Sequence, residues 1–156
     1  MMPLARTEVE ENMKITIIGA GYVGLTSGTC LAELGHHVTC IDMNEERVAR
    51  LRAGEVPIYE PGLHELMAAN IEAGRLLFSA DTAQGVAEAD AVFIAVGTPS
   101  LSDGDIDLSF VQDAARGIAK VIKPNCVVVV KSTVVVGTCR ALREIIAEER
   151  GALDFS

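Results

Sequence analysis

The chain has 156 residues, a length that suits one compact domain and is too short for a separate substrate domain. Its hydrophobic fraction of 49% predicts a buried core and lies outside the range of disordered chains. The formal net charge is −9 and no basic cluster offsets it, which argues against a nucleic acid or an anionic membrane as partner.

Residues 1–12 are expected to form a flexible tail, because this acidic segment lacks the apolar centre of a signal peptide. The domain is expected to span residues 13–156, and no uncharged run in it resembles a membrane span. The four cysteines have no CxxC spacing and no companion histidine cluster, so neither a metal nor a redox dithiol is expected. We expect the cysteines to be small, packed side chains, and the protein to be located in the reducing cytoplasm.

From residue 14 onward, short β-branched runs alternate with longer helical runs, which is typical of a parallel sheet covered by helices. The predicted strands are 14–18, 38–42, 76–79, 91–96, 126–130 and a sixth, shortened one at 153–156. The predicted helices are 22–34, one capped by Asn44, 61–73, a short one from 81, one carrying Leu108 to Ile122, and 137–150. The apolar run 126–130 shows no alternation, which predicts a central strand with helices on both faces.

Gly19, Gly21 and Gly24 form a GxGxxG motif that directly follows the first strand and opens a helix. The first glycine allows a tight turn, the second lets backbone N–H groups approach a pyrophosphate, and the third permits close packing of helix on strand. Tyr22 and Val23 line the same loop. The motif favours a Rossmann-type, doubly wound α/β fold of about six mainly parallel strands; a loop that binds S-adenosylmethionine, or nothing, is the alternative.

Asp42 ends the second predicted strand about 20 residues after the motif, where a carboxylate accepts hydrogen bonds from the adenosine ribose. A carboxylate there repels a 2′-phosphate, and Met43 and Asn44 add no positive charge, so NAD is favoured over NADP. Arg47, one turn into the next helix, either reaches the adenosine side of the pocket or is an exposed helical arginine.

Gly97, Thr98 and Pro99 follow the fourth strand, and Thr133 comes shortly after the fifth. Ligands of open α/β sheets bind at the carboxyl ends of the strands, so these residues are candidates to contact the ribose, phosphate or nicotinamide of the cofactor. Helix capping by Ser132 or Thr133 is the competing explanation.

Four segments together give the chain a family resemblance, and they are "KITIIGAGYVGL" (14–25), "GEVPIYEPGL" (54–63), "FIAVGTPS" (93–100) and "VVVVKSTVVVGT" (127–138). Over residues 13–156 the chain resembles the NAD-binding, amino-terminal domain of the UDP-glucose/GDP-mannose dehydrogenase family. The resemblance implies that Val23, Asp42, Arg47, Thr98 and Thr133 contact NAD. It also implies that Thr133 lies near the reacting end of the substrate, as an auxiliary catalytic residue.

The resemblance further implies that the full-length enzyme oxidises the C6 alcohol of a nucleotide sugar to a carboxylate in two steps, using two NAD and a covalent cysteine intermediate. Members commonly form homodimers through regions that this chain lacks, so the chain itself is expected to be monomeric. Val135 stands where the family usually has proline, and the chain stops just before the family's "NPEFLREG" segment. The family's nucleophilic cysteine lies further along, so we expect this chain to bind NAD but not to oxidise a sugar alone.

Two other functions are compatible with the same motifs. A non-catalytic NAD(H)-sensing module would use the fold to shift a conformational equilibrium. A dehydrogenase acting on a hydroxy acid or an acyl thioester would share the cofactor half and differ elsewhere. The "EPGL" and "GTPS" segments favour the nucleotide-sugar dehydrogenase over both.

Overall fold

The fold is known from a computed structural model, which describes residues 12–150. The expected tail, apart from Asn12, and the expected strand at 153–156 lie outside the described residues. Five strands are present in the described part, namely β1 (Lys14–Ile18), β2 (His37–Ile41), β3 (Leu76–Ser79), β4 (Ala91–Ile94) and β5 (Val127–Val130). Six helices accompany them, namely α1 (Tyr22–Glu33), α2 (Glu45–Arg52), α3 (Leu63–Glu72), α4 (Thr82–Ala87), α5 (Ser109–Ala119) and α6 (Thr138–Arg150).

The strands form one sheet in the order β3-β2-β1-β4-β5, and every neighbouring pair is parallel. Ile17 of β1 lies opposite Cys40 of β2 on one side and Phe93 of β4 on the other. The strand order reverses between β1 and β4, because the chain goes outward from β1 to β3 and then returns to the other side. This reversal is the topological switch point at which open α/β sheets bind ligands.

Each face of the sheet carries its own apolar core, so the sheet is doubly wound as predicted. One core joins β1, β2 and β3 to α1, α2 and α3, and contains Ile17, Leu25, Cys40, Leu51 and Met67 among its fully buried side chains. The other joins β1 and β4 to α4, α5 and α6, and contains Val86, Val92, Ile94, Ile118 and Ile146. Burial of such side chains stabilises a domain by about 1.5–3 kcal/mol each before entropy costs.

The prediction of a central position for the strand at 126–130 stays a prediction, because the sixth strand expected at 153–156 lies outside the described residues. Among residues 12–150, β5 pairs with β4 alone, and the exposed fraction of Val127 is 56%. A run of valines satisfies the β preference for branched side chains at an edge as well as in the middle of a sheet. The lack of alternation alone therefore does not decide how many strands lie beside β5.

The helix ends follow the local chemistry that the sequence predicted. The side chain of Asn44 accepts a hydrogen bond from the backbone N–H of Arg47, and this contact caps α2. Gly62 precedes α3 with φ of +79°, a conformation that glycine adopts at little cost. Among residues 12–150, no helix combines the length and the apolar character needed to cross a bilayer.

Candidate functional site

The candidate residues lie along one rim of the sheet, where the parallel strands end. Backbone hydrogen bonds hold the residues just beyond the strand ends together: Gly19 N–H donates to Ile41 at 2.7 Å, and Ala95 N–H donates to Ile18 at 2.8 Å. Lys131 N–H donates to Ile94 at 2.8 Å in the same way. The segments that follow β1, β2, β4 and β5 therefore open on the same edge.

The glycine turn after β1 has no room for side chains at two of its three glycines. A Cβ at Gly19 would lie 2.5 Å from the carbonyl oxygen of Ala95, and the φ of Gly19 is +102°. A Cβ at Gly24 would lie 1.8 Å from the carbonyl oxygen of Gly19. These two glycines thus permit the tight turn and the close approach of α1 to β1.

Gly21 differs from its two partners because a Cβ there would meet no atom within 4 Å. It immediately precedes α1, and no side chain caps the N–H groups of that helix end. A helix N-terminus with free N–H groups favours an anion through its dipole and its hydrogen-bond donors. The open space over Gly21 therefore fits the pyrophosphate of a dinucleotide.

Tyr22 and Val23 begin α1 and are exposed, at 53% and 44%. The Tyr22 hydroxyl donates a short hydrogen bond to the Glu60 carboxylate, which raises the pKa of the phenol above its ordinary value. Sequence reasoning missed the role of Glu60, although it lies within the quoted "EPGL" segment. This contact joins the segment before α3 to the glycine turn.

Asp42 follows β2 and its side chain is only 11% exposed. One carboxylate oxygen accepts from the N–H of Ala20 at 3.1 Å and from the Arg47 guanidinium at 2.9 Å, while the other accepts from the N–H of Asn44 at 2.9 Å. A carboxylate offers about four acceptor positions, so some capacity is left for a ribose hydroxyl. The contact with Ala20 fixes the acidic side chain against the glycine turn.

Arg47 is 45% exposed and directs its guanidinium at Asp42. Arg47 is therefore a helical surface residue whose guanidinium reaches the carboxylate that follows β2. Because Arg47 is paired with Asp42, the carboxylate has a local counter-ion although the chain is strongly acidic overall.

Gly97, Thr98 and Pro99 follow β4 in a loop that turns back on itself. The Pro99 carbonyl accepts from Asp107 N–H at 2.8 Å, and Ser100 forms an antiparallel bridge with Ile106. Thr98 is half-buried, whereas Gly97 and Pro99 are exposed. A Cβ at Gly97 would meet nothing within 4 Å, so the surface beside this residue is open.

Thr133 is exposed on the segment after β5. The capping explanation for Ser132 and Thr133 is wrong, because α6 begins only at Thr138. Ser132 instead donates its hydroxyl to the carbonyl of Val96 at 2.7 Å. Sequence reasoning missed this contact because nothing in the local pattern reveals a partner 36 residues away.

Within residues 12–150, no three His, Cys, Asp or Glu side chains are grouped so that they could hold a metal ion. The groups present on the rim instead suit a dinucleotide, since they combine an open glycine turn, an uncapped helix end and an anchored carboxylate. Together with the parallel sheet and its switch point, they define the chain as a dinucleotide-binding domain of the Rossmann type.

Comparison with known proteins narrows this class. Residues 13–156 match the model of the UDP-glucose/GDP-mannose dehydrogenase family, NAD binding domain. A UDP-glucose 6-dehydrogenase of Rhizobium meliloti is 53% identical over 145 residues, which cover 92% of this chain and 33% of the relative. The chain thus spans about a third of the length of the curated relatives it matches.

Solved structures agree with the sequence comparison. A UDP-glucose dehydrogenase from Pyrobaculum islandicum superposes with a TM-score of 0.89 at 41% identity, covering all of this chain and 36% of that one. A ternary complex of GDP-mannose dehydrogenase from Pseudomonas aeruginosa gives a TM-score of 0.85 at 36% identity, covering 90% of this chain and 33% of that one. The chain belongs to the UDP-glucose/GDP-mannose dehydrogenase family and forms its NAD-binding domain. The predicted fold class and the predicted NAD cofactor are both confirmed.

Proposed function

We propose that this domain holds NAD for a nucleotide-sugar 6-dehydrogenase that, at full length, oxidises UDP-glucose to UDP-glucuronate with two NAD. The observation that carries the proposal is the anchored carboxylate of Asp42, which stands beside the open glycine turn. UDP-glucose is favoured over GDP-mannose because the relative from Rhizobium meliloti is 53% identical, against 36% for the GDP-mannose dehydrogenase.

In this proposal the adenosine half of NAD lies over β1 and β2. Asp42 accepts hydrogen bonds from the ribose hydroxyls, and Arg47 supports the carboxylate from the helix side. The backbone of Gly21, Tyr22 and Val23 donates to the pyrophosphate at the start of α1. Gly19 and Gly24 serve by leaving room for this approach.

The nicotinamide half lies over β4 and β5, because a dinucleotide bound across the switch point extends from one half of the sheet to the other. Gly97, Thr98 and Pro99 line this end from β4, and Thr133 lines it from β5. NAD supplies the hydride acceptor for the oxidation. Thr133 carries an exposed hydroxyl close to that end of the rim, which suits an auxiliary catalytic contact with the substrate.

We further propose that this chain binds NAD without oxidising a sugar by itself. A thiolate nucleophile needs a lowered pKa and access to the reacting carbon. Cys40 is fully buried in β2, and burial raises the pKa of its thiol to about 12. Cys126 directly precedes β5, at the end of the sheet opposite the rim, and burial raises the pKa of its thiol as well.

The remaining partners follow from the same proposal. The nucleotide sugar would be bound jointly with parts of the full-length protein, and homodimers would form through those parts, leaving this domain monomeric alone. All four cysteines are free thiols, which is compatible with the reducing cytoplasm as the location.

Calorimetric titration of the chain with NADH, NAD and NADPH tests the proposal. We expect saturable binding of NAD and NADH with a clear preference over NADPH. Replacing Asp42 by alanine should weaken NADH binding about 10-fold or more, because hydrogen bonds to a charged group contribute about 1.5–3 kcal/mol. Asp113→Ala is the matched control, since Asp113 pairs with the neighbouring Arg116 on the exposed side of α5.

A preference for NADPH, or equal affinities of the Asp42 and Asp113 variants for NADH, would contradict the assignment. The second part of the proposal is tested by mixing the chain with NAD and UDP-glucose and following NADH absorbance. We expect no NADH to form; steady formation by the chain alone would show that it contains the catalytic groups.

A further inference from the structure

Ser132 joins the two segments that flank the nicotinamide end of the rim. Its hydroxyl lies 2.7 Å from the carbonyl oxygen of Val96, to which it donates, and 3.3 Å from that of Ile94. Its backbone N–H donates to Ile94 at 3.0 Å. The side chain is half-buried and directed toward the neighbouring segment.

This contact lies just beyond the regular strands. β4 ends at Ile94 and β5 ends at Val130. The Ser132 hydroxyl extends the connection between them to Val96, immediately before Gly97. This side chain thus adds a contact at the start of the Gly97 loop to the backbone hydrogen bonds that Lys131 and Ser132 donate to Ile94.

The residues next to this contact are the ones assigned to the nicotinamide end. Gly97 and Thr98 follow Val96 directly, and Thr133 follows Ser132 directly. Since Val96 and Ser132 are joined by a hydrogen bond, loss of that bond would allow the position of Thr98 relative to Thr133 to change.

We propose that Ser132 is a positioning residue that keeps Thr98 and Thr133 in register to receive the nicotinamide half of NAD. The inference rests on the proposed binding mode of the cofactor. Ser132 acts through the Val96 carbonyl rather than by touching the cofactor. Its removal therefore affects the nicotinamide end and leaves the Asp42 end of the rim unchanged.

A second hydroxyl in the same connection provides a control. Thr138 begins α6, and its hydroxyl donates to the carbonyl of Val135 at 2.8 Å, three residues earlier. This contact is also formed by a hydroxyl and a carbonyl, but it stays within the segment between β5 and α6. Its loss should lower stability without moving the Gly97 loop.

The test compares Ser132→Ala, Ser132→Thr and Thr138→Val by titration with NADH and with ADP-ribose, which lacks the nicotinamide. Ser132→Ala should weaken NADH binding about 5- to 10-fold, the effect of losing roughly one hydrogen bond, and should change ADP-ribose affinity less than about 2-fold. Ser132→Thr retains the hydroxyl and should restore NADH affinity to within about 2-fold. Thr138→Val should leave the ratio of the two affinities unchanged.

Equal weakening of NADH and ADP-ribose by Ser132→Ala would overturn the proposal, because it would indicate a general structural role. Unchanged NADH affinity would overturn it as well. If the alanine variant does not fold, Ser132→Cys preserves the packing with a weaker donor, and the same selective loss of NADH affinity is expected. Failure of the unaltered chain to bind either ligand would instead refute the proposed function itself.

Discussion

Gly21 and Gly24, which flank Tyr22 and Val23, should differ in how their replacement by alanine affects stability and NADH binding. At Gly24 a Cβ would stand 1.8 Å from the carbonyl oxygen of Gly19 and 3.3 Å from Cγ2 of Ile17. The first neighbour is backbone, so the clash can be relieved only if α1 moves away from β1. At Gly21 a Cβ would meet nothing within 4 Å, and φ of −78° with ψ of −167° suits alanine.

The magnitudes follow from these contacts. Overpacking a tight site costs about 1–3 kcal/mol, and a backbone clash places Gly24→Ala near the upper value. Alanine regains up to about 1 kcal/mol through its better helix propensity, so the net loss is about 2 kcal/mol. For a domain of this size each 1 kcal/mol lowers Tm by roughly 2–4 °C, which gives a fall of about 4–8 °C.

Gly21→Ala should lower Tm by only about 1–4 °C, because alanine at the N-cap is roughly 0.5–1 kcal/mol less favourable than glycine. It should nevertheless weaken NADH binding markedly, since its methyl group would occupy the space where the pyrophosphate approaches the backbone. Thermal unfolding followed by circular dichroism measures the first effect, and titration with NADH measures the second. Loss of stability in Gly21→Ala equal to that in Gly24→Ala, or an unaltered Tm for Gly24→Ala, would refute this reasoning.

Two further predictions concern titratable groups. Burial raises the pKa of the Cys40 thiol to about 12, so maleimide at neutral pH should label Cys40 only after the chain unfolds. The exposed Cys30 and Cys139 should be labelled in the native chain, and mass spectrometry of peptides distinguishes the three sites. Rapid labelling of Cys40 in the native chain would contradict its burial. The hydrogen bond from the Lys123 ammonium lowers the pKa of Asp90, so its contribution to stability is present above the ordinary pKa of the carboxyl and is lost as pH falls through the lower, folded value. The free energy of unfolding, measured with denaturant, should therefore fall less on acidification in Asp90→Asn than in the unaltered chain. The difference should be under about 1 kcal/mol because the pair is partly exposed. An equal fall in the two proteins would contradict the prediction.

The glycine turn and the acidic residue after β2 could be predicted from sequence because each depends on local chemistry. Position 19 needs glycine because its φ is positive, and position 24 needs glycine because α1 lies so close to β1. The same two requirements arise wherever a strand turns directly into a helix. The position of Asp42 in the sequence follows from the combined length of β1, α1 and β2, because Asp42 comes directly after β2. Alternating β-branched and helical runs then suffice to predict a parallel sheet whose strand ends share one rim.

The properties that could not be predicted depend on contacts between distant segments. Within residues 12–150 β5 pairs with β4 alone, and a valine run does not encode how many strands lie beside it. The partner of the Ser132 hydroxyl is Val96, on the neighbouring segment but 36 residues away in sequence, so the local pattern favoured the nearer explanation of a helix cap. Glu60 was visible as a motif residue, but its contact with Tyr22 arises only when the segment before α3 folds over α1.

The two ends of the rim are held by different kinds of interaction, and this difference has a consequence for the cofactor. The Asp42 end is fixed by backbone hydrogen bonds, close glycine packing and a charged pair, all of which are formed before a ligand arrives. At the other end, backbone hydrogen bonds to Ile94 and the Ser132 hydroxyl join the two segments, but the candidate residues Gly97, Pro99 and Thr133 are themselves exposed. Preformed contacts lower the cost of binding, so most of the affinity should come from the adenosine half. The nicotinamide end, where hydride transfer requires accurate placement, is then the part most sensitive to small shifts of the loops.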